Sequence, residues 1–224
     1  AAAPCTLARM PATAAMLGLI SLRGPWPSSD KLTAASLWDK KPVVLYAIRR
    51  MGCPLCRRLA AELHSMRSDF EKAGARLVVV SAQPTGAQAF LDAVWSDGEL
   101  YVDEDEGFKK ALGENSNAQK YSNWWLLRPG SLLNIFRSTG NGKSFDDLNA
   151  KSMTLGGEFV IHPSKGVVFQ RREDSTFGHA SGETLLQVVR ALNEGHDVNG
   201  VPSTPLTAAV VSESKQQCDE KCDL

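Results

Sequence analysis

The sequence carries no excess of charge: 25 lysines and arginines stand against 25 aspartates and glutamates. That balance argues against a nucleic-acid backbone or an anionic membrane surface as its main partner. There is no cysteine scaffold either. Cys5, Cys53, Cys56, Cys218 and Cys222 are an odd set gathered into two close pairs, unlike the frame of a small disulfide-rich domain. Long apolar runs are missing as well. The longest near the start, Ala12 to Leu22, is interrupted by Thr13, Gly18 and Ser21, short of the ~20 residues a spanning helix needs. No acidic residue precedes Asp30, and the chain opens Ala-Ala-Ala-Pro without an initiator Met. Two readings fit this start, a remnant of a processed precursor of an organelle (plastid or mitochondrion) or a trimmed beginning, and the organellar one is preferred over a cytoplasmic protein.

With 224 residues, 43% of them apolar and 22% charged, the chain can bury a full core. We divide it into an N-terminal extension over 1–30, one domain over 31–196 and a C-terminal tail over 197–224 rich in Pro, Ser, Thr, Lys and Glu. Val43 to Ile48 reads as a buried strand. The apolar residues Leu55, Leu59, Leu63, Met66 and Phe70 then recur at helical spacing, with Arg57, Arg58, Glu62 and Arg67 on the opposite face and Gly74 as the stop. Leu77 to Val80 is a second apolar strand, parallel to the first in a right-handed βαβ unit. A helix around Ala87 to Val94, a strand at Leu100 to Val102 and a short helix through Phe108 follow, the last capped by Asp103 or Asp105 and closed by Gly113. The stretch 114–153, with Trp124 and Trp125, has no sustained period and reads as a long insertion. Glu158 to Ile161 and Val167 to Gln170 flank the turn Pro163 to Gly166 as a hairpin. Ser181 caps a final amphipathic helix through Leu192. The order predicts an α/β fold, a central mixed sheet flanked by helices.

Cys53-Pro54-Leu55-Cys56 is the chemical feature of the chain. Zinc sites use the same spacing but need about four ligands. The other cysteine pair lies far off in the tail, and His64, His162, His179 and His196 are scattered, so no metal is expected. The pair sits after the first strand, where the first long helix opens, which is the place of a thioredoxin-like redox motif. Pro54 suits the first helical position and leaves Cys53 as the cap. There the helix dipole and the nearby Arg49, Arg50, Arg57 and Arg58 favour a thiolate, so Cys53 is expected to have a depressed pKa. Cys56, one turn deeper, is the expected resolving thiol. Two inert core cysteines are the plainer alternative.

These residues resemble a known family. The string Arg49-Arg50-Met51-Gly52-Cys53-Pro54-Leu55-Cys56-Arg57, the stretch Leu155 to Val160, and Gly166 to Arg172 followed by Phe177-Gly178 are similar to the peroxiredoxin-like 2 family. That family belongs to the alkyl hydroperoxide reductase and thiol-specific antioxidant (AhpC/TSA) group and includes prostamide/prostaglandin F synthase and selenoprotein U relatives. The resemblance spans roughly Trp38 to Leu192. It implies a thioredoxin-like fold, antioxidant or endoperoxide-reducing thiol chemistry, and an inherited insertion carrying Asn134, Phe136 and Arg137. Ordinary peroxiredoxins place Pro and Thr or Ser where this chain has Tyr46 and Arg50, and Leu155-Gly156-Gly157 stands where a thioredoxin offers a cis-proline.

Other motifs are weaker. Gly142-Lys143-Ser144 lacks the first glycine of a phosphate-binding loop, and the acidic run Asp103 to Glu106 is better read as a solvated helix cap than as a cation site. Trp124 and Trp125 are read as core packing ahead of a surface patch. Cys218 and Cys222 are a second redox pair, a tail disulfide or exposed thiols. Two functions follow. In the first, Cys53 and Cys56 reduce a peroxide or endoperoxide with Arg49 and Arg50 stabilising the charge, needing no organic cofactor, and an external thiol such as thioredoxin or glutathione restores them. In the second, the domain is a structural or redox-sensing subunit of a larger, organellar assembly, its dithiol vestigial or only sensing.

Overall fold

The apolar run after Pro42 becomes the central strand of the molecule. In the computed structural model, which describes residues 13–112, 156–173 and 179–195, β3 (Val43–Ala47) has all five residues buried. Both its edges are paired, β4 (Arg76–Ser81) in parallel on one side and β6 (Gly157–His162) antiparallel on the other, and both its faces are packed in core. Strand β5 (Glu99–Val102) continues in parallel beyond β4, and β7 (Gly166–Arg172) closes the hairpin with β6. The seven-stranded mixed sheet runs β2-β1-β5-β4-β3-β6-β7.

The expected boundary at residue 30 is corrected by the structure. Strand β1 (Ser21–Arg23) lies between β5 and β2 (Lys31–Thr33), antiparallel to both. The preceding helix α1 (Ala14–Gly18), capped by the Thr13 hydroxyl, buries Leu17. Residues 13–30 are thus built into the sheet and its cover. Gly24 makes the turn between the two strands possible: its φ is +136°, and a Cβ there would stand 2.9 Å from the Tyr101 ring.

Alternation along the strands sorts the core into two layers. Val44, Tyr46, Val79, Leu100 and Val160 face the layer of α2 (Pro54–Ser65), α3 (Arg67–Lys72), α4 (Ala87–Val94) and α6 (Gly182–Asn193). Val43, Leu45, Ala47, Val78, Val80 and Phe159 face α1 and α5 (Gly107–Ala111). The single helix expected through Phe70 is broken at Met66, whose backbone (φ −95°, ψ 5°) leaves the α region. At the break the Ser65 hydroxyl turns back to the Glu62 carbonyl. The bend seats Phe70 in the core. Gly74 then ends α3 in left-handed geometry, its N–H bonding to Glu71 while that of Ala75 reaches Phe70. Asp103 caps α5 from a distance, Oδ2 accepting from the Phe108 N–H at 2.9 Å. It does so buried, not solvated as expected.

Candidate functional site

The dithiol lies where the sheet hands the chain to α2. After β3, the N–H of Cys53 bonds to the Arg50 carbonyl in a tight turn, Cys53 takes extended geometry as the cap, and Pro54 starts the helix. Both cysteines are free thiols, Cys53 8% exposed and Cys56 3%. The deeper position expected for Cys56 is what the structure shows. Arg49 Nη2 donates to Cys53 Sγ at 3.0 Å. Arg50, half-buried, follows it in the turn.

Cys53 ionises well below the usual thiol range. The hydrogen bond from Cys56 is the main cause, Arg49 adds to it by charge and by its own bond, and burial opposes both. Cys56 is held well above that range by the same hydrogen bond, by burial and by the Cys53 charge. The proton the two sulfurs share is therefore biased toward Cys56 and the negative charge toward Cys53. Burial works against the charge of Arg49, but the two sulfurs and Glu173 outweigh it.

Four residues not singled out as site residues from the sequence complete the surroundings. Glu173, just past β7, is buried; its Oε2 accepts from the Gly156 N–H at 3.1 Å. Burial raises its pKa, while Arg49 and the Gly156 N–H hold it back. Lys109 on α5, also buried, donates to the Arg49 carbonyl at 3.3 Å and so braces the turn from below. Tyr46 and Glu158 sit opposite each other on β3 and β6, fully buried. Glu158 had a visible signal, a charged residue opening an otherwise apolar strand. Gly156 makes the approach possible, since a Cβ there would lie 2.4 Å from the Ala47 carbonyl oxygen and 3.2 Å from Glu173 Oε1.

Arg57 corrects the sequence reading. Placed on the outer face by periodicity, it is only 2% exposed. Its guanidinium donates to the Met51 and Ala89 carbonyls at 3.2 and 3.1 Å and lies over the Phe90 ring. It ties the Cys53 turn to α4. Cys218, Cys222 and Cys5, the Trp124–Trp125 pair, Gly113, Phe177-Gly178 and the Gly142-Lys143-Ser144 turn lie outside the described residues. Among the described residues no helix is long and apolar enough to cross a membrane.

Comparison with known proteins gives this arrangement a lineage. The family of AhpC/TSA antioxidant enzymes matches over residues 62–175, a stretch that begins after the dithiol. Peroxiredoxin-like 2A of Gallus gallus is 31% identical over 81% of this chain and 79% of its own, and that of Xenopus tropicalis 30% over 76% and 72%. Prostamide/prostaglandin F synthase of Sus scrofa is 36% identical over 58% of this chain but only 57% of its own. Among solved structures, Xanthomonas campestris peroxiredoxin Q superposes with a TM-score of 0.54 at 16% identity, covering 81% of this chain and 96% of that one. That last likeness speaks for the fold alone. On these matches and on the shared sheet, the chain belongs to the AhpC/TSA antioxidant enzyme family, in its peroxiredoxin-like 2 branch.

Proposed function

We propose that the chain is a thiol-dependent oxidoreductase that reduces peroxides or endoperoxides through Cys53 and Cys56. The observation that carries this reading is the pairing at Cys53 Sγ: a guanidinium at 3.0 Å on one side and a thiol donor on the other. A thiolate so held attacks one oxygen of the substrate O–O bond, which breaks, and the other oxygen leaves and takes up a proton. The product at Cys53 is a sulfenic acid from a hydroperoxide, or a sulfenate ester of the retained oxygen from an endoperoxide. Cys56 displaces that oxygen, which departs as water in the first case and as the substrate's second hydroxyl in the other, leaving a Cys53–Cys56 disulfide. An external thiol system such as thioredoxin or glutathione returns the pair to its reduced form, and no organic cofactor enters the cycle. Arg49 stabilises the thiolate and the negative charge that develops on the departing oxygen.

The test is reductant consumption in an assay coupling NADPH, thioredoxin reductase and thioredoxin to hydrogen peroxide. Wild type is compared with Cys53→Ser and Cys56→Ser, and an endoperoxide is run in parallel as second substrate. Turnover that disappears with Cys53→Ser supports the reading. Wild-type rates no higher than the Cys53→Ser background on both substrates overturn it.

A further inference from the structure

Behind the dithiol lies a polar pair that the peroxide chemistry leaves unused. Tyr46 and Glu158 are neighbours across β3 and β6, 1% and 0% exposed, on the sheet face that supports Cys56. Neither the Tyr46 hydroxyl nor Glu158 Oε1 has a well-formed hydrogen bond among the described residues. Glu158 Oε2 accepts a long bond from the Ala180 N–H at 3.5 Å. Unpartnered hydroxyl and carboxyl groups destabilise a dry core, and here they occur as a pair, at the one place where a buried thiol must gain and lose a proton. The Tyr46 hydroxyl lies against the Cys56 sulfur, its ionisation raised by burial first and then by that sulfur, and Glu158 is its partner across the strands.

We propose that Tyr46 and Glu158 form a proton relay to Cys56, returning a proton to its sulfur when that sulfur is expelled from the Cys53–Cys56 disulfide. The proposal rests on the dithiol cycle set out above. The thiolate of an external dithiol attacks Cys53 Sγ; the S–S bond breaks and its electron pair goes to Cys56. Water has little access to that sulfur. The Tyr46 hydroxyl gives its proton to Cys56 and takes the one on Glu158. The reductant's second thiol then closes its own disulfide, expelling Cys53 as a thiolate, and the proton it loses restores Glu158. Two electrons have passed from the reductant to the pair, and the proton count is unchanged.

The surroundings suit a carboxyl that starts neutral. Burial, then the charge of Glu173, raise Glu158 well above the usual carboxylate range, while the Ala180 N–H and Arg171 work in the other direction. The other ionisable groups near the relay are Cys53 and Cys56 from α2, Arg49 from the turn, Lys109 from α5 and His179 ahead of α6. Glu62 is engaged with the Gly182 N–H at the start of α6.

The test starts from protein oxidised to the disulfide with diamide. Its reduction by dithiothreitol is followed by rapid alkylation and mass spectrometry, from acid to mildly alkaline pH. Rates are divided by the concentration of dithiothreitol thiolate. In wild type this normalised rate falls once Glu158 ionises. Glu158→Gln and Tyr46→Phe are each expected to be about a hundredfold slower at neutral pH, the low end of general-acid effects, and to lose that fall. Circular dichroism confirms the fold, and where one variant does not fold the other decides. A wild-type profile in a folded variant overturns the relay. If wild type forms no disulfide with diamide or peroxide, it is the dithiol cycle itself that fails, which separates the two outcomes.

Discussion

Replacing Arg49 by glutamine removes the charge from the guanidinium bonded to Cys53. A hydrogen bond to a charged group contributes about 1.5–3 kcal/mol, which at about 1.36 kcal/mol per pKa unit corresponds to a rise of about one to two units for Cys53. Two features keep the rise from being larger. The Cys56 hydrogen bond, the stronger influence on Cys53, is untouched. Glu173, deprived of the cation that holds its pKa down, takes up a proton more readily and so withdraws a negative charge from the site. The shift is read from the pH dependence of iodoacetamide alkylation in reduced protein, with the adduct located on Cys53 by mass spectrometry. Peroxide turnover near neutral pH should fall in step with the thiolate fraction. An alkylation profile for Arg49→Gln that overlies wild type would refute the reasoning, because the guanidinium would then be a bystander to the sulfur it touches.

Stability measurements check the rest. Glu158 keeps its proton in the folded protein above the usual carboxylate range, whereas an unfolded glutamate loses it near pH ~4.3. Above that value the folded state binds more protons, so stability falls with rising pH until Glu158 ionises. Urea midpoints of Glu158→Gln should therefore gain on wild type progressively as pH rises, and a constant difference rules the argument out. Leu59→Ala removes a fully buried side chain beneath α2 and should cost about 2–5 kcal/mol in urea denaturation; under about 1 kcal/mol would mean the layer can collapse around the gap. Gly156→Ala puts a methyl against the Ala47 carbonyl, with Arg49 and Glu173 next to it. Its melting temperature should drop, and Cys53 alkylation should shift toward higher pH as Glu173 and Arg49 are displaced. Unchanged values for both would show that the strands give way.

The elements with a sustained pattern were legible. The apolar strands β3 and β4, the helix between them, the hairpin with its Gly166 turn and the Ser181 cap each carry a signal of period, turn or cap, and each is found in its place. Strand β1 was missed for a physical reason: three residues are too few for an alternation to show, and what holds Ser21–Arg23 in the sheet is pairing with distant residues, Thr33 and Val102 among them. The break at Met66 was missed because the side-chain period runs straight through it. Leu63, Met66 and Phe70 keep helical spacing, while a serine hydroxyl and the seat of Phe70 decide the bend.

For the site, sequence neighbourhood was a poor guide to electrostatics. Arg49, Arg50, Arg57 and Arg58 all lie within five residues of Cys53, yet the backbone sends the Arg57 guanidinium away to the Met51 and Ala89 carbonyls and brings that of Arg49 into hydrogen-bonding contact with the sulfur. The groups that set the charge balance come instead from residues far along the chain. Strand register aligns Tyr46 with Glu158 and Glu158 with Arg171 in one row across the sheet, and the end of β7 delivers Glu173 to the Gly156 N–H beside Arg49. A row of this kind is invisible to spacing rules, because its members share nothing in sequence but an even offset within their own strands. It becomes readable once the hairpin register is known, since the pleat then fixes which acid shares a face with the thiol. Carboxyls buried beside a thiolate drive its pKa up, so the depressed Cys53 survives here because burial raises Glu158 and Glu173 toward their neutral forms and weakens that opposition, while the Cys56 hydrogen bond and Arg49 carry the sulfur down.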